Sequence, residues 1–130
     1  MAKDVTDEAK RVKQKVDSTV RVVDFRKVYT SPFRNPVVGT ENVSFGVDSN
    51  ECFALLGVNG AGKSTTFKSM TNAVEPTEGE IRINGQNVNS EFETVRKVLG
   101  YCPQHHALFS SITVLEHLIF YSELKRVPNK

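Results

Sequence analysis

Residues 57 to 65 read Gly57-Val58-Asn59-Gly60-Ala61-Gly62-Lys63-Ser64-Thr65. Glycine, four residues, glycine, lysine and a hydroxyl residue is the spacing of a phosphate-binding loop, or P-loop. Each residue type suits that chemistry. The glycines let the backbone curl so that successive N–H groups face phosphate oxygens. A helix starting at the lysine adds the positive end of its dipole. Lys63 supplies a point charge to the β- and γ-phosphates, Ser64 offers a hydroxyl to Mg²⁺, and Thr65 can bond an inner phosphate. Asn59, Ala61 and Thr66 complete the candidate contacts. Chance produces such a string in well under roughly 1% of chains this size. The bland alternative is a Gly-rich turn with an incidental lysine. The expected ligand is a nucleoside triphosphate with Mg²⁺, MgATP foremost.

Such a loop needs a buried strand before it and a helix after it. Cys52-Phe53-Ala54-Leu55-Leu56 is a continuous apolar run, as in a strand buried on both faces. Ser64 to Asn72 has the pattern of a helix. Upstream, Val20 to Phe25 reads as a strand, and Tyr29 to Pro36 as a loop punctuated by Ser31-Pro32 and Asn35-Pro36. Val43, Phe45 and Val47 alternate with Ser44 and Gly46, predicting a half-buried strand that ends at an Asp48-Ser49-Asn50 turn. Asn84-Gly85 predicts a hairpin across 79 to 89. Glu91 to Val98 predicts one or two helical turns, and Val98 to Cys102 a short strand. Thr113 and Glu116 form a capping-box pattern that starts a helix at Val114, with Leu115, Leu118, Ile119 and Ser122 on one face and Pro128 as its stop.

Residues 1–18 form a charged linker ahead of a domain at 19–130. Val5, Ala9, Val12 and Val16 recur at helical spacing, so the linker is either a short amphipathic helix or a solvated tail. The chain has 130 residues, 38% of them hydrophobic, with a formal net charge of +2. That balance gives no argument for nucleic acid or a membrane surface. The apolar stretch around Cys52–Val58 is far short of the roughly 20 residues that span a membrane. Two cysteines without metal-type spacing, Cys52 and Cys102, suggest a reduced, cytosolic setting. Both are expected as small buried apolar residues. Adjacent His105 and His106 suggest metal, but neighbours in extended chain point opposite ways, so loop residues are expected.

The loop and its flanks together resemble ATP-binding cassette (ABC) transporter proteins of subfamily A. Glu51-Cys52-Phe53-Ala54-Leu55-Leu56-Gly57 resembles the strand entering the family's phosphate loop, and Thr66-Phe67-Lys68-Ser69-Met70-Thr71 the helix leaving it. Pro76-Thr77-Glu78-Gly79-Glu80-Ile81 with Asn84-Gly85 resembles the next hairpin. Gly100-Tyr101-Cys102-Pro103-Gln104 resembles the glutamine loop, and Thr113 to Leu118 the start of the helical subdomain. Asp4-Val5 with Arg11-Val12 loosely resembles the linker from the transmembrane domain.

The resemblance implies further roles. Tyr29 matches the aromatic residue that stacks on adenine. Gln104 matches the residue that touches Mg²⁺ and the attacking water and couples the cassette to the membrane domain. It also implies an α/β fold: a partial P-loop nucleotidase core with an antiparallel β element on its N-terminal side. Implied partners are a transmembrane domain and a second cassette, at the cytoplasmic face of a membrane, moving a lipid-like substrate.

Several family motifs have no match in these 130 residues: the Leu-Ser-Gly-Gly-Gln signature, an apolar strand ending in Asp-Glu after the loop, and the switch histidine. Binding of MgATP with negligible turnover is therefore expected of the chain alone, as is self-association at open sheet edges. A non-catalytic regulatory module is one rival. A P-loop GTPase or kinase is another, since Asn129-Lys130 neither completes nor excludes a base-reading Asn-Lys-x-Asp string.

Overall fold

The computed structural model describes residues 3–104 and 108–127. They fall into two compact units, 1–100 and 101–130.

In the first unit a helix, α1 (Lys3–Gln14), precedes a four-stranded antiparallel sheet. The strands are β1 (Val20–Ser31), β2 (Arg34–Val47), β3 (Glu78–Ile83) and β4 (Gln86–Asn87), ordered β2-β1-β3-β4. Val22 pairs with Phe45 on one side and Ile81 on the other. This register puts Val22, Phe45 and Ile81 in one core with Phe25, Ile83, Val88 and Val95. Two helices flank the sheet strands in sequence: α2 (Lys63–Met70) and α3 (Phe92–Val98).

Local chemistry explains the turns. Asn84 and Gly85 both take positive φ, 48° and 78°, between the paired Ile83 and Gln86, as a type I′ hairpin turn requires. Asp24 at φ 47° marks a bulge that shifts the register on both sides of β1. Gly79 lies against it, where a Cβ would overlap the carbonyls of Val23 and Asp24.

The N-terminal residues resolve to the helical alternative. Val12 of α1 is fully buried, and Arg11 donates 3.0 Å to the Gly46 carbonyl while Glu8 accepts the Gly46 N–H at 3.1 Å. Arg21 donates 2.9 Å to the Val12 carbonyl.

Four expectations need correction. Tyr29–Pro36 is not a loop: β1 and β2 continue through it, with only Pro32 and Phe33 turning between the paired Ser31 and Arg34. Pro36 is tolerated because β2 is a sheet edge, where a missing N–H costs no ladder bond. Cys52–Leu56 is not a buried strand. No strand of the described residues runs beside it, and Leu56 is 87% exposed. Phe53 nonetheless stacks on Phe45, ring centroids 5.0 Å apart. Val98–Cys102 likewise forms no ladder among the described residues: α3 runs through Val98, and Leu99, extended, packs against the core instead. Cys52 and Cys102 are both exposed free thiols.

The second unit contains α4 (Val114–Leu124). Its capping box forms: Thr113 Oγ1 accepts the Glu116 N–H, and the Glu116 carboxylate accepts the Thr113 N–H at 2.6 Å. The helix ends at Leu124, before Pro128, which lies outside the described residues, as do His105, His106, Asn129 and Lys130. No helix of the described residues is long and apolar enough to cross a membrane.

Candidate functional site

The phosphate-loop residues form a continuous arch from Gly57 into α2. Gly60 and Gly62 take φ of 87° and 90°, the left-handed region that glycine enters at no steric cost. The first intrahelical bond runs from the Thr66 N–H to the Gly62 carbonyl at 2.9 Å. The N–H groups of Lys63, Ser64 and Thr65 thus have no acceptor within their own helix. No acidic side chain occupies the first turn of α2, and no side chain caps it. The end of the helix therefore keeps its full attraction for an anion.

Lys63 is folded back over the arch. Its ammonium donates to the carbonyls of Gly57 at 2.6 Å and Val58 at 2.8 Å. Ser64 is exposed, and among the described residues no group bonds its hydroxyl. Asn59 and Ala61 are exposed on the arch, and the Ala61 N–H closes a turn onto the Val58 carbonyl at 3.2 Å. Thr66 points the other way: it is buried, and its hydroxyl donates to the Gly62 carbonyl at 3.1 Å.

The β1–β2 hairpin reaches this arch from upstream. Tyr29, near the end of β1, sets its phenol oxygen 3.4 Å from Thr65 Oγ1. The Lys27 ammonium sits 5.4 Å from the Tyr29 ring centroid. The first unit therefore brings together Tyr29 and the whole of residues 57–66. Gln104 belongs to the second unit, where it is an exposed residue in a bend.

Sequence reasoning missed two residues of β2. A Cβ on Gly39 would come 2.6 Å from the Tyr29 ring and 3.2 Å from Thr65 Oγ1, so only glycine lets the ring lie there. Thr40 is buried, and its hydroxyl reaches the Gly62 carbonyl at 3.4 Å. Their signal was the register of a hairpin that the prolines concealed.

Comparisons with known proteins give the chain its family. A family model described as "ABC transporter" matches residues 40–129, so the chain belongs to the ABC transporter family. Within that family it is similar to ATP-binding cassette sub-family A member 2 of Rattus norvegicus, 40% identical over 98% of this chain and 5% of the relative. It is 42% identical to sub-family A member 7 of Mus musculus, over 96% of this chain and 6% of the relative. Phospholipid-transporting ATPase ABCA3 of Rattus norvegicus is 37% identical over 98% of this chain and 8% of the relative. The chain thus spans less than a tenth of these curated relatives.

Among solved structures, the ATP-binding subunit of an ABC transporter superposes with a TM-score of 0.73 at 35% identity, covering 86% of this chain and 45% of that one. A dimeric ATP-binding cassette bound to ADP and Pi shares the fold, with a TM-score of 0.71 at 23% identity over 85% of this chain and 50% of that one. The fold is α/β, a partial P-loop core of cassette type carrying an antiparallel β element.

Proposed function

We propose that this chain binds MgATP as part of an ABC transporter cassette. The carrying observation is the arch itself: an uncapped helix N-terminus, two left-handed glycines, and a lysine ammonium folded over the loop. These features fit a polyphosphate, because donors converge on the arch and no acidic side chain stands in the first turn of α2. Lys63 would exchange its two carbonyls for phosphate oxygens, Ser64 would ligate Mg²⁺, and the backbone of Gly57 to Thr65 would line the phosphates. Asn59 belongs to the same lining, and Thr66 supports it from behind, its N–H and hydroxyl both bonded to the Gly62 carbonyl. Tyr29 would take the base on its ring. Gln104 would serve Mg²⁺ and the attacking water.

Bound MgATP supplies the phosphoanhydride bond whose cleavage powers the family's cycle. This chain's residues would hold and orient it, and the described residues place no carboxylate at the arch to orient water. Efficient hydrolysis would need further cassette sequence and a second cassette. In a whole transporter the chain would act beside a transmembrane domain at the cytoplasmic face. The names of its relatives make a phospholipid the favoured class of cargo.

The test is a calorimetric titration with MgATP, competed by GTP and repeated with Lys63→Ala. Saturable binding that resists GTP and weakens about 10- to 150-fold in the variant is expected for loss of a charged hydrogen-bonding partner. A folded chain silent to MgATP would overturn the reading.

A further inference from the structure

We propose that Thr40 is a positioning residue for the phosphate loop, acting through the Gly62–Lys63 peptide. The inference rests on the MgATP reading and goes beyond the loop's own sequence. The Gly62 carbonyl is a focus of three donors. It takes the Thr66 N–H at 2.9 Å and the Thr66 hydroxyl at 3.1 Å, both from the first turn of α2. It takes the Thr40 hydroxyl at 3.4 Å, from across the hairpin. Thr40 is 4% exposed, and the Gly62 carbonyl is the acceptor the structure gives its hydroxyl. A buried hydroxyl needs such a partner, so the contact is favoured even near the outer limit of hydrogen-bond length.

The geometry of the peptide turns this contact into a directional device. A trans peptide holds its C=O and N–H within one rigid plane, pointing in opposite directions. Anchoring the Gly62 oxygen therefore aims the Lys63 N–H the opposite way, out of the helix end and into the arch. Of the three anchors, two belong to Thr66 and turn with the helix. Thr40 alone ties the plane to a different element.

The approach is also close. A Cβ on Gly62 would come 2.5 Å from Thr40 Oγ1 and 2.6 Å from the Gly39 carbonyl. β2 thus backs directly onto Gly62, close enough for the Thr40 hydroxyl to hold the peptide. Thr40 itself touches no phosphate; it fixes the direction of a donor that does.

Two variants separate hydroxyl from shape. Thr40→Val keeps the volume and removes the donor; Thr40→Ser keeps the donor and removes a methyl. Each is compared with the unaltered 130-residue chain by NMR, reading the Gly62 carbonyl carbon and the Lys63 amide, and by MgATP titration. The Val variant is expected to shift both signals and weaken MgATP about three- to tenfold, the size of one hydrogen bond. The Ser variant is expected to restore both.

Unchanged Gly62 and Lys63 signals in the Val variant would overturn the inference. So would shifted signals with unchanged affinity, or a Ser variant as weak as the Val one. If the unaltered chain binds no MgATP, the function proposed above falls. The Gly62 and Lys63 signals then still decide whether Thr40 sets the peptide.

Discussion

The phenol oxygen of Tyr29 lies 3.4 Å from Thr65 Oγ1, joining two residues 36 positions apart. The aromatic residue of the hairpin is thus fixed against the last residues of the phosphate loop. Gly39 makes this possible by leaving the Tyr29 ring the space that a side chain would fill. A base stacked on that ring would share one rigid platform with the phosphates.

Tyr29→Ala should therefore weaken MgATP by about 5- to 150-fold, the equivalent of roughly 1–3 kcal/mol for a lost base stack. Tyr29→Phe should retain most of the affinity, losing only the long bond to Thr65. Titration of the two variants side by side checks this. Equal losses would place the hydroxyl, not the ring, at the centre of the effect.

Gly60 and Gly62 share a backbone conformation but not their surroundings. Nothing lies within 4 Å of a Cβ built on Gly60, while one on Gly62 meets Thr40 and the Gly39 carbonyl. Gly60→Ala should cost only the left-handed strain, about 1–2 kcal/mol. Gly62→Ala should cost that and the overlap, and lose MgATP binding by more than tenfold beyond Gly60→Ala. Thermal melts and titrations of both variants measure the difference.

Acid should release α1 from the sheet. The Arg11 guanidinium beside Glu8 holds its carboxyl below the usual range, aided by the Gly46 N–H. Lys15, then the Ser18 hydroxyl, does the same for Asp48. Both carboxyls have folded-state values below their unfolded ones. Their contribution is therefore present above the unfolded values and lost as pH falls through and below about 4. Amide exchange of α1 should accelerate there before that of β1 and β3. Glu8→Gln should flatten the effect, and an α1 equally protected at pH 3 and 7 would contradict it.

The segment Cys52–Leu56 should make the isolated chain associate. Its backbone groups have no ladder among the described residues, and Phe53 and Leu55 line an apolar cleft of about 240 Å³ with Phe45, Phe67 and Met70. An open, apolar edge invites pairing with another chain. Light scattering is expected to show concentration-dependent association that Leu56→Lys reduces. A sharp monomer at all concentrations would count against this.

Where the information is local, the sequence reports it well. The phosphate loop, the Asn84-Gly85 turn and the Thr113/Glu116 capping box each depend on neighbours within a few residues, and each forms. The failures share another cause. Pro32 and Pro36 mark breaks in most settings, and the place of β2 at the sheet edge, with the register shift opposite Asn35–Pro36, makes Pro36 harmless. The apolar run at 52–56 signals a wish for burial, but a strand exists only when a neighbour pairs with it. Thr40 and Gly39 came to the site through a pairing register that no spacing rule displays.

Lys63 has one more consequence. The sole ammonium of residues 57–65 is held by carbonyls at the start of the same loop. The arch is thereby held closed by an internal cation before any anion arrives, and an incoming phosphate needs only to draw that ammonium off the two carbonyls. Binding then avoids most of the entropic cost of loop closure. Its kinetics should show one concentration-dependent phase, with no slow isomerisation following capture.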